Sequence, residues 1–523
     1  MRFRISVLIG CAVLLAATVS AVAAPRDDKS NVLRGMAARL GHVLGAASAC
    51  PNVARPRIKG ISDKFVDVVR SSASTDDESK SILDLFNGNY LEGVRSVNAR
   101  QMDCSTADRE LGDLEAASVP APAPQPAQLA AAPSQGSAFA TQVAPIAPVA
   151  IRGVSDTEIR FGASVPLTGP NKDYGHQTRV GIETAFRTAN DAGGVHGRTL
   201  RLIAADDGYE PTRTAETMKQ LYDKDQVFGF VGNFGTATAM VAAPFALERQ
   251  MLFYAGYTGA GVLRRDPPDR YVFNYRASYA EETEAVVRYL IKVRRLKPEQ
   301  IAVFAQQDAY GDAGFAGVAK AIRAMRGGDG GFILRTGYPR NSLDVDPAIA
   351  QLKASKTSIK AVVMVATYRA AAKFIEKTRD AIPGLVYTNP SAVGGISLRD
   401  ELMLLGPRFA DGVIVTQVVP AVDGYSSLIL EYKAALAKAF GGEAPDYVSL
   451  EYYVATKILI EALKRAGPQL DTEKLVDAFE NLRDFDMGLG TPINFGRSEH
   501  QGSHKVWGTQ LNDAGKFEPF ELQ

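Results

Sequence analysis

The chain is poor in the residues that most often carry chemistry. Its 523 residues include five histidines, three cysteines and one tryptophan. His500 and His504 stand four apart, but Gln501-Gly502-Ser503 between them reads as a loop, which argues against a metal-binding helix face. There is no Walker sequence, no His-Glu-x-x-His helix and no Gly-x-Ser-x-Gly elbow. Gly259-Ala260-Gly261 begins like a dinucleotide fingerprint, but Arg264 stands where the third glycine is required. No nucleophile, base and oxyanion set assembles, so the expectation is a protein that is not an enzyme, with no cofactor and no metal. Charge of either sign is also lacking in excess. Lys plus Arg number 59 and Asp plus Glu 58, a net charge of +1, which gives no case for nucleic acid or an anionic membrane surface as partner. Beyond the first two dozen residues no run is long and apolar enough to span a bilayer.

What is present begins with a processing signal over residues 1–24. Arg2 and Arg4 form a basic start, Ile5 to Ala17 an apolar run, and Ala21-Val22-Ala23 a small-x-small cleavage site before Ala24. Leu8-Ile9-Gly10-Cys11 resembles a lipoprotein box, but the apolar run continues well past Cys11. The expectation is an exported protein, periplasmic in a two-membrane bacterium, cleaved near Ala23 and not membrane-spanning afterwards. Cys50 and Cys104 then remain. An even pair in an oxidising compartment reads as one disulfide, with two free buried thiols as the competing reading. The bond would close a loop of about 53 residues and contribute roughly 3–4 kcal/mol.

Residues 25–117 read as a small helical module with one disulfide. Leu33, Met36, Ala37, Leu40, Val43 and Leu44 recur at helical spacing, and further helices are predicted around Phe65, from Asp76 to Phe86, and over Leu91–Val97. No chemical constellation appears in it. Residues 118–150 are a linker, rich in proline and alanine and nearly uncharged, which favours extended conformations. From Ile159 strand and helix alternate, with a change near Ser278. Repeated βα units mean parallel sheets covered by helices, and two runs of them mean two α/β lobes over 151–523. Ligands of open sheets sit at the carboxyl ends of strands, so two such lobes facing one another make a cleft.

One stretch organises this region: Phe228-Gly229-Phe230-Val231-Gly232-Asn233-Phe234-Gly235-Thr236-Ala237-Thr238-Ala239-Met240. It reads as a strand, a small-residue turn and a helix opening on Thr236. Free N–H groups, the positive end of the helix dipole and a hydroxyl then meet at one spot, which suits an anion. An ordinary βα turn with a threonine cap is the competing reading.

Four further segments carry a resemblance. Ile159-Arg160-Phe161-Gly162-Ala163-Ser164-Val165-Pro166-Leu167-Thr168-Gly169-Pro170 resembles the opening strand and turn of the periplasmic leucine/isoleucine/valine-binding proteins. Asn190 to Arg198, Asp206 to Pro211 and Asp308-Ala309-Tyr310-Gly311 are similar to later turns of that family, in the same order. The resemblance covers about residues 156–523 and leaves the module and linker outside. It implies a type I periplasmic binding protein: two Rossmann-like lobes joined by three crossings, here near Ser278, Thr416 and Gly490. The first lobe would hold about 156–277 and 417–489, the second about 278–416 and 490–523. It also implies a small-molecule ligand and an ABC permease of the inner membrane as partners. By the same resemblance Gly235 and Thr236 take the ligand carboxylate, and Gly256-Tyr257-Thr258 complete the carboxylate and ammonium site. Tyr174 covers the ligand, Tyr310 closes over it, and Thr367 and Tyr368 lie nearby.

One departure matters. Where the family's amino-acid binders place an acid opposite the ligand ammonium, Asn389-Pro390-Ser391 puts Ser391. A buried ammonium without an opposing charge is costly, so another acid such as Asp308 serves, or the ligand lacks an α-ammonium. Amino acids, amides, urea-like compounds and carboxylates stay open. The function expected is a solute-binding component of an ABC importer; the alternative is a periplasmic sensor that presents its bound state to a membrane receptor. Asp206 and Asp207 read as a capping turn, and the charged residues of 280–299 as solvated helix faces.

Overall fold

The computed structural model describes residues 26–73, 75–98, 103–117, 151–326 and 333–522. The expected signal peptide (1–24) and linker (118–150) lie outside the described residues. The chain divides into two compact units, with the boundary in the undescribed stretch after residue 117.

Among its described residues the N-terminal unit has four helices: α1 (Arg26–Ser48), α2 (Arg55–Ser72), α3 (Asp76–Asn98) and α4 (Cys104–Ala117). Leu33, Ala37, Leu44, Phe65, Val69, Ile82, Phe86 and Leu111 form its core, with Phe65 stacked on Phe86 at 5.2 Å. Removing such a side chain fully from water contributes roughly 1.5–3 kcal/mol. The sequence pattern predicts two helices between Asp76 and Val97, and the structure has one. Helix α3 packs on α1 so closely that a Cβ at Gly93 would meet the His42 carbonyl at 2.1 Å. That packing overrides the weak helix preference of Asn87-Gly88-Asn89. Helix α4 was not foreseen; Asp103 caps it, accepting from Ser105 N and Thr106 N, both at 2.9 Å. Cys50, after α1, is bonded to Cys104 at the start of α4, 54 positions on.

The C-terminal unit carries two sheets. The first is built from β1 (Glu158–Val165), α5 (Lys172–Asp191), β2 (Thr199–Asp206), α6 (Pro211–Asp223), β3 (Gly229–Val231), α7 (Thr236–Glu248), β4 (Phe253–Tyr254) and β5 (Val272–Phe273). All its pairings are parallel, in the order β2-β1-β3-β4-β5. The chain then runs through α8 (Tyr279–Arg288), β6 (Ile301–Gln306), α9 (Ala309–Arg326), β7 (Leu334–Tyr338), α10 (Asp346–Lys353), β8 (Ala361–Val365), α11 (Tyr368–Thr378), β9 (Val386–Asn389), α12 (Gly395–Leu405), α13 (Pro407–Ala410) and β10 (Ile414–Gln417). Helices α14 (Ser427–Ala439), α15 (Tyr447–Ala466) and α16 (Thr472–Glu480) follow, then β11 (Trp507–Leu511) and β12 (Phe517–Phe520). The second sheet is ordered β12-β11-β10-β9-β8-β6-β7, parallel except for β11 and β12. Strand β8 is buried throughout, as expected of a strand covered on both faces.

Both sheets place their second strand outside the first and their third on its other side. The strand order therefore reverses beside β1 and again beside β6, and ligands of such sheets bind at that reversal. Helix α15 returns to the first lobe, where the Tyr254 hydroxyl donates to Ala455 O at 2.9 Å and Tyr452 to Ala255 O at 3.2 Å. The first and third crossings pair with each other: Asn274 N donates to His500 O at 2.7 Å, and Gly502 N to Asn274 O at 2.8 Å. The third crossing thus falls beyond Gly490. Phe495 still packs on Phe273 and Phe479 of the first lobe, which carries the chain on to His500 before it leaves.

Candidate functional site

The residues singled out by sequence lie on the loops and first helical turns after β1, β3, β4, β6, β8 and β9, at the carboxyl ends of both sheets. Gly235 makes the sharp entry into α7 at φ 93°, a backbone angle that favours glycine. A Cβ there would meet the Tyr209 ring at 2.2 Å. Thr236 begins α7, and its Oγ1 is 2.6 Å from the Thr258 Oγ1, with both residues buried. Thr258 Oγ1 also accepts from Ala260 N at 3.1 Å. Tyr257 follows Gly256, and its strand-like bridge to Phe234 brings these two loops side by side.

Tyr174, near the start of α5, lies at the centre of an aromatic wall. Its ring stacks on Phe234 at 4.7 Å, tilts against Tyr257 at 5.7 Å and meets Tyr368 of the second lobe edge-on at 5.2 Å. Its hydroxyl donates to Val393 O at 2.7 Å and accepts from Tyr368 N at 3.1 Å, both in the second lobe. Burial raises its pKa well above the usual phenol range, so it stays a donor. The Tyr368 hydroxyl reaches back to Pro170 O at 2.8 Å and the Asp173 carboxylate at 2.7 Å. Gln306 donates to the Tyr209 hydroxyl at 3.0 Å, and Arg340 spans Glu210 at 3.0 Å and Asp308 at 3.1 Å. The two lobes are therefore in contact along the strand ends, in a closed arrangement.

Tyr310 is buried, with its ring 5.4 Å from Tyr279 and its hydroxyl donating to Ala366 O at 3.3 Å. Burial raises the Tyr279 phenol, with Arg276 and then hydrogen bonds from Thr258 and Thr236 acting the other way. Thr367 stands just before α11 without a side-chain capping bond; its N–H donates to the Tyr338 hydroxyl at 2.9 Å. Asp308 is spent on Gln306, Tyr310 N and Arg340, so it holds no free carboxylate oxygen for a ligand ammonium. Asp206 and Asp207 staple the first two βα loops together. Asp206 accepts from Leu167 N and the Thr168 hydroxyl, and Asp207 from Ser164 and Thr214. Those bonds outweigh burial and lower Asp206 to about 2, whereas burial raises Asp207.

The residues that sequence reasoning missed are ionic. Arg276, just before the first crossing, lies with its guanidinium 4.5 Å from the Tyr257 ring centre, and its Nη2 donates to Ser391 Oγ. Its Nε is 3.4 Å from Glu451 Oε1 on α15. Burial opposes the Arg276 charge, but Glu451, Tyr257 and Glu282 more than offset that, and its pKa is raised. Burial pushes Glu451 up to about 7, with Arg276 pulling the other way. Glu282 on α8 contradicts the expectation that charges over 280–299 are solvated, being fully buried and accepting from Ser391 N at 2.7 Å. The sequence signal was the Ser278–Glu281 capping box, which fixes the start of α8 and turns Glu282 inward.

A cavity of about 580 Å³ opens at the crossings, lined by Arg264, Ser278, Glu281, Lys320, Gln501 and His504. His500 and His504 face different partners, the Val272 carbonyl and Glu281. No cluster of three metal-capable side chains occurs among the described residues. Among them no helix is long and apolar enough to cross a membrane.

Comparison with known proteins places this geometry. The family model described as periplasmic binding protein matches residues 158–516. An amino acid binding protein of Pseudomonas aeruginosa is 27% identical over 317 residues, covering 59% of this chain and 79% of that protein. The Leu/Ile/Val-binding protein homolog 3 of Brucella melitensis is 26% identical over 360 residues, covering 67% of this chain and 91% of its own length. The crystal structure of a possible leucine/isoleucine/valine-binding protein from Rhodopirellula baltica is 36% identical, with a TM-score of 0.67, covering 72% of this chain and 98% of that one. Two reversed-order sheets, facing strand ends and a family match over more than half of the chain lead to one conclusion: the chain belongs to the Leu/Ile/Val-binding family of type I periplasmic binding proteins, a solute-binding family.

Proposed function

We propose that this protein is an exported, periplasmic receptor that closes its two lobes on a small polar ligand and delivers it to an ABC permease of the inner membrane. Ligands in scope are amino acids, amides and carboxylates. The observation that carries this reading is the hydroxyl of Tyr174, which joins first-lobe aromatics to Val393 and Tyr368 of the second lobe. Closure of this hinge kind traps what lies between the lobes. Gly235, Thr236, Tyr257 and Thr258 form the first-lobe wall; Tyr310, Tyr368 and Ser391 close over it. Export is supported by the basic, apolar and small-residue segments of residues 1–24. Small-ligand binding by Leu/Ile/Val-binding relatives supports the cargo class.

A melting series on the mature chain tests this reading, with branched and polar amino acids, short amides, urea and aromatic carboxylates as the panel. A ligand at a hundred times its Kd adds about 2.7 kcal/mol, or about 3–4 °C for a unit of this size. At least one panel member is expected to raise the main transition by that amount. No shift with any of them counts against a transport receptor of this cargo.

A further inference from the structure

The ionic groups around Ser391 are left incomplete by the closed cleft. Glu282 uses only Oε2, which accepts from Ser391 N at 2.7 Å and from the Thr416 hydroxyl. Its Oε1 is buried without a hydrogen-bond partner. Arg276 is 1% exposed and gives Nη2 to Ser391 Oγ, while its Nη1 is likewise buried and unpartnered. A buried carboxylate oxygen and a buried guanidinium N–H without partners each cost free energy, which a ligand that pairs with both would recover. Both groups converge on Ser391, the position where the resemblance expects an acid. Tyr257 belongs to the same wall, with its hydroxyl donating to Ser391 O at 3.4 Å and its ring under the Arg276 guanidinium.

We propose that Glu282, approaching from α8 instead of from the loop that holds Ser391, is the carboxylate that receives an N–H donor of the ligand on its Oε1, and that Arg276 Nη1 donates to a neighbouring ligand oxygen. This rests on the cleft reading above. The ligand then presents donor and acceptor together at its polar end, as a zwitterionic amino acid does with charge and a carboxamide or urea does without it. A plain carboxylate offers acceptors only and sets its oxygens against Glu282. Replacement of Ser391 by an acid is unnecessary in such a site, because the acid comes from a different element and reaches the same place.

Titration calorimetry with valine, isovaleramide and isovalerate, which share one carbon skeleton, tests the proposal. Valine or isovaleramide is expected to bind at least about tenfold more tightly than isovalerate. Glu282→Gln keeps an oxygen for Ser391 and Thr416. The amide NH2 then stands where Oε1 accepted, so the variant should weaken valine and isovaleramide each at least about tenfold, valine the more because its donor is charged. Arg276→Lys should weaken whichever of the two binds. Melting of each unliganded variant shows whether it still folds, and Glu282→Asp supplies a second carboxylate variant if the glutamine form does not. Isovalerate binding as tightly as the others, or no heat with any of the three, overturns the proposed ligand class. Affinity for the bound probe unchanged in both the Glu282 and Arg276 variants overturns the assignment. If Thr236→Val also leaves that affinity unchanged, the cleft reading itself fails; if Thr236→Val weakens it, only the Glu282 and Arg276 assignment does.

Discussion

Replacing Tyr174 by phenylalanine removes one oxygen and asks whether closure and binding are one event. The hydroxyl belongs to α5 of the first lobe, and its partners, Val393 O at 2.7 Å and Tyr368 N at 3.1 Å, belong to the second. All three residues are buried. Phenylalanine keeps the ring and its stacking on Phe234 at 4.7 Å. In the closed form the substitution leaves a carbonyl and an N–H buried without a partner, at about 1–2 kcal/mol each and roughly 2–4 kcal/mol together. In the open form water takes both places and the cost vanishes. The closed form holds the ligand, so Kd should rise about thirty- to thousand-fold while the unliganded protein melts as before. Titration calorimetry and melting of wild type and variant measure the two quantities. Unchanged affinity refutes the reasoning, because the cross-lobe bonds would then be absent from the bound state. An equal loss of stability without ligand also refutes it, because the lobes would then be closed at rest.

Three further outcomes are expected. Thr236→Val removes the hydroxyl 2.6 Å from Thr258 Oγ1 and should weaken ligand binding at least about tenfold with the fold intact, as calorimetry and melting would show. Replacing Cys50 and Cys104 together by alanine releases a loop spanning 54 positions. The chain-entropy model puts that at about 4 kcal/mol, so the transition of the N-terminal unit should fall by about 16–30 °C in scanning calorimetry, and an unmoved transition would exclude the effect. The His504 pKa is raised from 6.5 by its bond to Glu281, against burial, so its contribution is present below pH 6.5 and is lost as pH rises through the folded value. His504→Gln should therefore flatten the stability slope above pH 6.5; an identical slope in urea titrations would show that this pair does not link the crossings.

Much of the fold is legible in the sequence because buried parallel strands such as Ala361–Val365 read as short apolar runs between amphipathic helices. The cleft loops are legible for the same reason, since each follows a strand that can be found. What cannot be read this way breaks the alternation. Strands β11 and β12 return antiparallel after three helices, and β5 is only two residues long. Glu281 and Glu282 show the limit most sharply. They are adjacent in sequence and look equally solvated, yet Glu281 binds His504 at the third crossing while Glu282 is buried beside Ser391. Charge alone does not say which side of α8 each occupies; the Ser278–Glu281 capping box does, once it is used to set the helix start. Ser391 itself is in the cleft, but its hydroxyl belongs to Arg276, a partner that no spacing rule supplies.

The central claim is that ligand closes the two lobes. Pulsed spin-label distance measurement tests it directly, with labels on Lys219→Cys in α6 of the first lobe and Lys356→Cys in the second, both exposed. In a chain lacking residues 1–24, Cys50 and Cys104 are bonded to each other and leave the introduced thiols to react. The account predicts a broad or longer distance without ligand that shortens and narrows when the ligand found in the melting series is saturating. A distribution that is the same with and without saturating ligand would contradict it.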